Sequence, residues 1–213
     1  TPEKRSIFSS FKVVKLLPYA SALIIVFALV FTLNFNQPTP VEASSTVYIE
    51  INPSIEIDLD ENDDILAIRS NNQAAINLLN ALGDYEGEKV DVIIERIISK
   101  AIEQGYLTSE NPFVMYDVAG KNETIRAHVE AILSERIPDI AERNLPDLSF
   151  VHGNAKDQTP SEISEARMHN MNIMKYRLIN RILETNESLT FDELKTKTIG
   201  ELREYLTNQD EMP

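Results

Sequence analysis

Residues 46–59, TVYIEINPSIEIDL, decide the fold. Apolar and polar residues alternate from Thr46 to Ile51 and again from Ile55 to Leu59, the period of a half-buried strand. Asn52-Pro53 falls between the two runs. Proline removes a ladder donor and fixes φ, so the strand candidates Thr46–Ile51 and Ser54–Leu59 meet at a bend or break.

Downstream the periods switch repeatedly. An acidic turn at Asp60–Asp64 leads to a third strand, Ile65–Ser70. Helical stripes follow at Ala75, Leu78, Leu79 and Leu82, then at Val90, Ile93, Ile94, Ile97, Ile98, Ala101 and Ile102, each closed by a glycine. Phe113–Val118 alternates again, after a second Asn-Pro at 111–112. Lys121–Arg136 reads as a helix stopped by Pro138, Leu148–His152 as a short strand, and Met171–Leu183 and Ile199–Leu206 as closing helices. Strands that precede and interleave with helices predict an α+β domain: a small, mostly antiparallel sheet packed with helices, in an α/β/α sandwich-like arrangement.

Upstream, Leu16 to Phe35 is uncharged and about 20 residues long, enough to cross a ~30 Å hydrocarbon core. Lys4, Arg5, Lys12 and Lys15 precede it, and the next basic residue is Arg69, so the positive-inside rule puts the N-terminus in the cytoplasm. A cleaved signal peptide is the rival, but its apolar run is usually shorter. The expected organisation is a cytoplasmic juxtamembrane segment over 1–15, a transmembrane helix over 16–35, a linker over 36–45 and an extracytoplasmic domain over 46–213. The expected location is the cell membrane, single-pass. The chain starts at Thr1 rather than Met, which reads as a fragment or a processed product.

Composition narrows the function. The 34 acidic against 20 basic residues give a net charge of -14. That balance argues against nucleic acid as a partner, since neutralising phosphate needs a basic footprint. With no cysteine, disulfides, thiolate nucleophiles and Cys-based zinc sites are excluded. His128, His152 and His169 lie in different predicted elements without metal-ligand spacing, and the acidic pairs Asp58/Asp60 and Asp63/Asp64 read as a solvated turn. No metal and no cofactor is implied. No phosphate-binding glycine loop or nucleophile elbow is present, so a turnover enzyme such as a membrane-anchored hydrolase lacks a residue constellation.

Asn52-Pro53 itself carries chemistry. The usual asparagine reaction needs the following residue's backbone N–H, which proline lacks. The reverse attack remains open: the Asn52 side-chain nitrogen closes on its own main-chain carbonyl and expels the prolyl amine. A fold has to hold that pose and deliver a proton to the leaving nitrogen. Glu50 and Glu56 are the nearest carboxyls and Ser54 the nearest hydroxyl, with Glu50 on the Asn52 face of the strand. Set against this, Asn-Pro is also a plain turn signal, and Asn111-Pro112 reads that way.

The string Val47-Tyr48-Ile49-Glu50-Ile51-Asn52-Pro53-Ser54-Ile55-Glu56-Ile57, just outside a single span, resembles the extracytoplasmic region of the anti-sigma-I factor (RsgI-like) family of Gram-positive bacteria. Asn71-Asn72, Gln104-Gly105-Tyr106-Leu107, Met174-Lys175-Tyr176-Arg177-Leu178-Ile179 and Phe191-Asp192-Glu193-Leu194 extend the resemblance over nearly the whole chain from the membrane outward. It implies a membrane-bound anti-sigma factor whose cytoplasmic domain, missing from this chain, holds a sigma factor inactive. It implies an outer region that responds to an extracellular ligand. It also implies self-cleavage of the Asn52–Pro53 bond, with the pieces staying associated, and later cutting by site-1 and intramembrane proteases. Two departures stand out: Glu50 replaces the family's usual Asp, and no C-terminal carbohydrate-binding module follows. The competing expectation is a membrane-anchored surface binding or scaffold module in which Asn-Pro is purely structural.

Overall fold

The alternating segment turns back on itself. β1 (Ser45–Glu50) and β2 (Ser54–Leu59) pair antiparallel from Ser45↔Leu59 to Glu50↔Ser54, so Asn52-Pro53 lies in a hairpin connection and not in a bend along one strand. The computed structural model describes residues 42–85 and 87–210. The segment 16–35 and its flank 1–15 lie outside the described residues, and among those described no helix is long and apolar enough to cross a membrane.

β3 (Ile65–Ser70) pairs antiparallel with β2, and β4 (Phe113–Gly120) pairs antiparallel with β1 on its other side. β5 (Ser149–His152) joins β4 in parallel. The sheet order is β3-β2-β1-β4-β5, which makes β1 the central strand. The sheet is therefore mixed. Its one parallel pair follows the long helical crossover that a parallel connection demands.

Among the described residues, seven helices cover it: α1 (Gln73–Leu82), α2 (Val90–Glu103), α3 (Glu123–Asn144), α4 (Pro160–Met168), α5 (Ile173–Thr185), α6 (Phe191–Leu194) and α7 (Ile199–Asp210). Alternation along the strands sends side chains to two separate cores. Val47, Ile49, Ile55, Ile57, Val114 and Val118 pack with α1, α2 and α3 residues such as Leu78, Ile97 and Leu133. Tyr48 and Met115 pack with Ile173, Ile179, Leu194 and Leu202 from α5, α6 and α7. The result is the α+β, helix–sheet–helix layering expected from the sequence.

Pro138 does not stop its helix. α3 runs through it to Asn144. An interior proline costs about 3 kcal/mol. Beyond it, Ile140 is buried and Ala141 and Leu145 pack on the same core, as does Ile137 just before it. At about 1.5–3 kcal/mol per buried side chain, that packing outweighs the break.

Candidate functional site

Glu50 and Ser54 face each other at the last strand pair, leaving Ile51, Asn52 and Pro53 as the connection. One backbone bond closes it, from Ile51 N–H to Pro53 O at 3.0 Å. Pro53 has no N–H to return a second. Ile51, Pro53 and Ser54 are buried, while Asn52 is exposed at the apex. Strand alternation ends at Glu50, so the expectation that Asn52 shares the Glu50 face does not hold: Glu50 points under the helices and Asn52 stands in solvent.

Two asparagines grip this hairpin from opposite layers. Asn72, the N-cap of α1, donates from Nδ2 to Asn52 O at 2.9 Å, and its Oδ1 accepts from Ala75 N–H at 2.9 Å and Ser54 N–H at 3.3 Å. Asn172, the N-cap of α5, donates from Nδ2 to Ile49 O at 3.2 Å, and its backbone N–H donates to Ser54 Oγ at 2.8 Å. Its Oδ1 accepts from Met174 and Lys175 N–H. Asn72 touches the backbone on both sides of the Asn52–Pro53 bond, and Asn172 spans the same two strands. Short polar side chains take cap positions because their oxygen satisfies the helix's free N–H groups. Here the same amides have a nitrogen left over for the hairpin.

Of the predicted residues, Glu50 and Ser54 are brought together at full burial. Neither Glu50 oxygen reaches a hydrogen-bond partner at normal geometry. Burial raises its carboxyl above the ordinary value of 4.5, while Lys175, the Ser54 hydroxyl and the Asn172 backbone amide pull it part of the way back. The shift favours the protonated carboxyl, the form that can give a proton. Glu56 lies two pairs further from the apex, opposite Tyr48. Its oxygens accept from Arg69 Nε at 3.0 Å, Arg167 at 2.5 Å and Asn71 Nδ2 at 3.0 Å. Glu56 thereby ties β2 to β3 and α4. Arg69 also pairs with Asp58, which accepts from the Thr46 hydroxyl at 2.7 Å.

Lys175 and Asn172 were not singled out chemically from the sequence. A buried lysine within a helix stripe gives no local sign of the Glu50 side chain beside it. Among the described residues, one acid–histidine group converges: Asp117, Glu130 and His152, with ligand atoms within 4.8 Å. Asp117 already accepts from the Val118 and Ala155 N–H groups, and Glu130 pairs with Arg126, so protein donors account for this cluster.

The described residues form a helix-covered mixed sheet with Asn52-Pro53 in the hairpin between β1 and β2. Residues 44–181 match the family described as the anti-sigma factor RsgI-like central domain, and the chain belongs to that family. Among relatives, it is 28% identical over 215 residues to anti-sigma-I factor RsgI7 of Acetivibrio thermocellus, covering 100% of this chain and 38% of that protein. Against anti-sigma-I factor RsgI of Bacillus anthracis, identity is 25% over 127 residues, 60% of this chain and 28% of the relative. The chain thus spans well under half the length of these relatives.

Proposed function

We propose that this chain is the membrane-anchoring and signal-relaying part of an anti-sigma factor that cuts itself once at Asn52–Pro53. The Asn52 side-chain nitrogen attacks the Asn52 carbonyl carbon, and the bond from that carbon to the Pro53 nitrogen breaks. One proton leaves the attacking nitrogen and one arrives on the prolyl nitrogen. The products are a C-terminal aminosuccinimide and a free secondary amine on Pro53. Glu50, whose carboxyl burial shifts toward the protonated form, is the group we assign as proton source, with Ser54 opposite it in the last strand pair.

The observation that carries the reading is the place of the bond in the sheet. It sits at the apex of a hairpin whose first strand is central, with β2 and β4 on either side. A cut there leaves residues 1–52 held by two ladders and by Val47, Ile49 and Ile51, all buried. Each side chain contributes about 1.5–3 kcal/mol, and each ladder bond about 0.5–1.5 kcal/mol. The severed halves stay together at rest.

In this reading, residues 16–35 span the membrane with the outer domain on the extracytoplasmic side. An extracellular ligand pulls the halves apart or remodels them. The short stub left on the span then becomes a substrate for site-1 and intramembrane proteases. That step frees a sigma factor held by a cytoplasmic domain upstream. The test is the mass of the purified 213-residue chain in denaturant. Two fragments meeting at Asn52/Pro53, absent in Asn52→Ala, support the reading. An intact wild-type chain after long incubation sinks it and leaves Asn-Pro as a turn.

A further inference from the structure

We propose that Asn72 is a catalytic residue of the cleavage, the donor that stabilises negative charge on the Asn52 carbonyl oxygen. This rests on the self-cleavage reading above. When the side-chain nitrogen closes on the carbonyl carbon, that carbon becomes tetrahedral and its oxygen takes up charge. A donor already aimed at the oxygen gains strength as the charge develops, so it lowers the barrier more than it stabilises the resting chain. Asn72 Nδ2 is such a donor, 2.9 Å from Asn52 O.

The aim is fixed by the rest of the side chain. Oδ1 faces two N–H donors, Ala75 and Ser54, while Nδ2 faces a carbonyl. Turning the amide over would set oxygen against oxygen on one side and N–H against N–H on the other, so only one orientation satisfies the network. Because the Oδ1 contacts lie in α1 and β2, the donor is anchored to groups on the leaving side of the bond. The N-terminus of α1 adds its partial positive charge near the same oxygen. No acidic residue occupies the first turn of α1 to cancel it. The atoms balance without any outside reagent: one C–N bond forms, one breaks, and a proton moves from the attacking to the leaving nitrogen. A single water later opens the succinimide.

The test is a time course. The full 213-residue chain is made by cell-free synthesis in detergent micelles, quenched in denaturant at intervals, and weighed for the fragments. Asn72→Asp keeps the cap and the acceptor for Ser54 but replaces the donor with a carboxylate; Asn72→Ser keeps a cap with no amide. Both are expected to slow cleavage by roughly 10²–10³-fold. Thermal midpoints, measured in the uncut Asn52→Ala background, should stay near that of the parent. The gap between Asn72→Asp and wild type should narrow below about pH 4, where the new carboxyl regains a proton to donate. Either variant cutting within threefold of wild type overturns the proposal. So does slowing that tracks a lowered midpoint in both variants, which would make the role structural. An uncut wild-type chain refutes the self-cleavage reading itself, and this role with it.

Discussion

At Asn111–Pro112 the asparagine side chain is tied down: its Nδ2 donates to Tyr106 O at 3.2 Å, and its backbone N–H donates to Thr108 O at 3.1 Å. Pro112 O accepts from Ser149 N–H at 2.8 Å, where β5 begins to pair. At Asn52–Pro53 the arrangement is reversed. The side chain is exposed, and it is the main-chain carbonyl that receives a side-chain donor. The same dipeptide therefore offers a spent nucleophile in one place and a polarised electrophile in the other. The dipeptide alone does not set the chemistry. In the proposed reading, the atoms supplied by distant parts of the chain do.

The contrast breaks most sharply on cleavage. Asn52→Ala should abolish it outright, while Asn111→Ala leaves fragment yield unchanged by mass. A break at 111/112 in any variant would mean that context is not what matters. Next in size is the wall around the hairpin. Ile49→Ala, at a fully buried site of the central strand, should cost about 2–5 kcal/mol in denaturant unfolding of the Asn52→Ala chain.

A smaller effect is the pH dependence owed to Glu50, which faces Lys175, Ser54 and Asn172. Its folded-state pKa lies above the unfolded value of 4.5, so its contribution is fully present below that value and is lost as pH rises through the folded one. In the uncut Asn52→Ala chain, stability should thus decline with rising pH relative to the same chain carrying Glu50→Gln, and parallel curves would show that Glu50 does not titrate as described. The smallest effect belongs to the second pair. Asn111→Ala removes one side-chain bond to Tyr106 O and should cost about 1 kcal/mol.

Much of the fold was legible. Period-two runs marked β1, β2 and β4, and the Val90–Ile102 stripe marked α2, because in each case one face meets a core. Pro138 misled because a local cost was outweighed by nonlocal packing of Ile140 and Ala141. The candidate site was half legible. Asn52, Pro53, Glu50 and Ser54 are contiguous and could be named. The groups that give them a setting come from α1 and α5, and nothing in residues 46–59 encodes which helix caps will land there. Glu56 shows the same limit: its neighbours in sequence gave no hint that Arg69 and Arg167 would enclose it.

Those distances along the chain carry a consequence for the order of events in biosynthesis. Asn72 lies 20 residues beyond Asn52, and 123 residues separate Ile49 from Asn172. At about 5–20 residues per second, a ribosome needs roughly 6–25 s to travel the longer interval. The central strand is thus among the first parts of the domain to be made and among the last to receive all its neighbours. A nascent or truncated chain carries the Asn-Pro dipeptide without its second clamp. The hairpin setting is completed only after α5 has been made, so under the proposed cleavage the bond would wait for a finished domain.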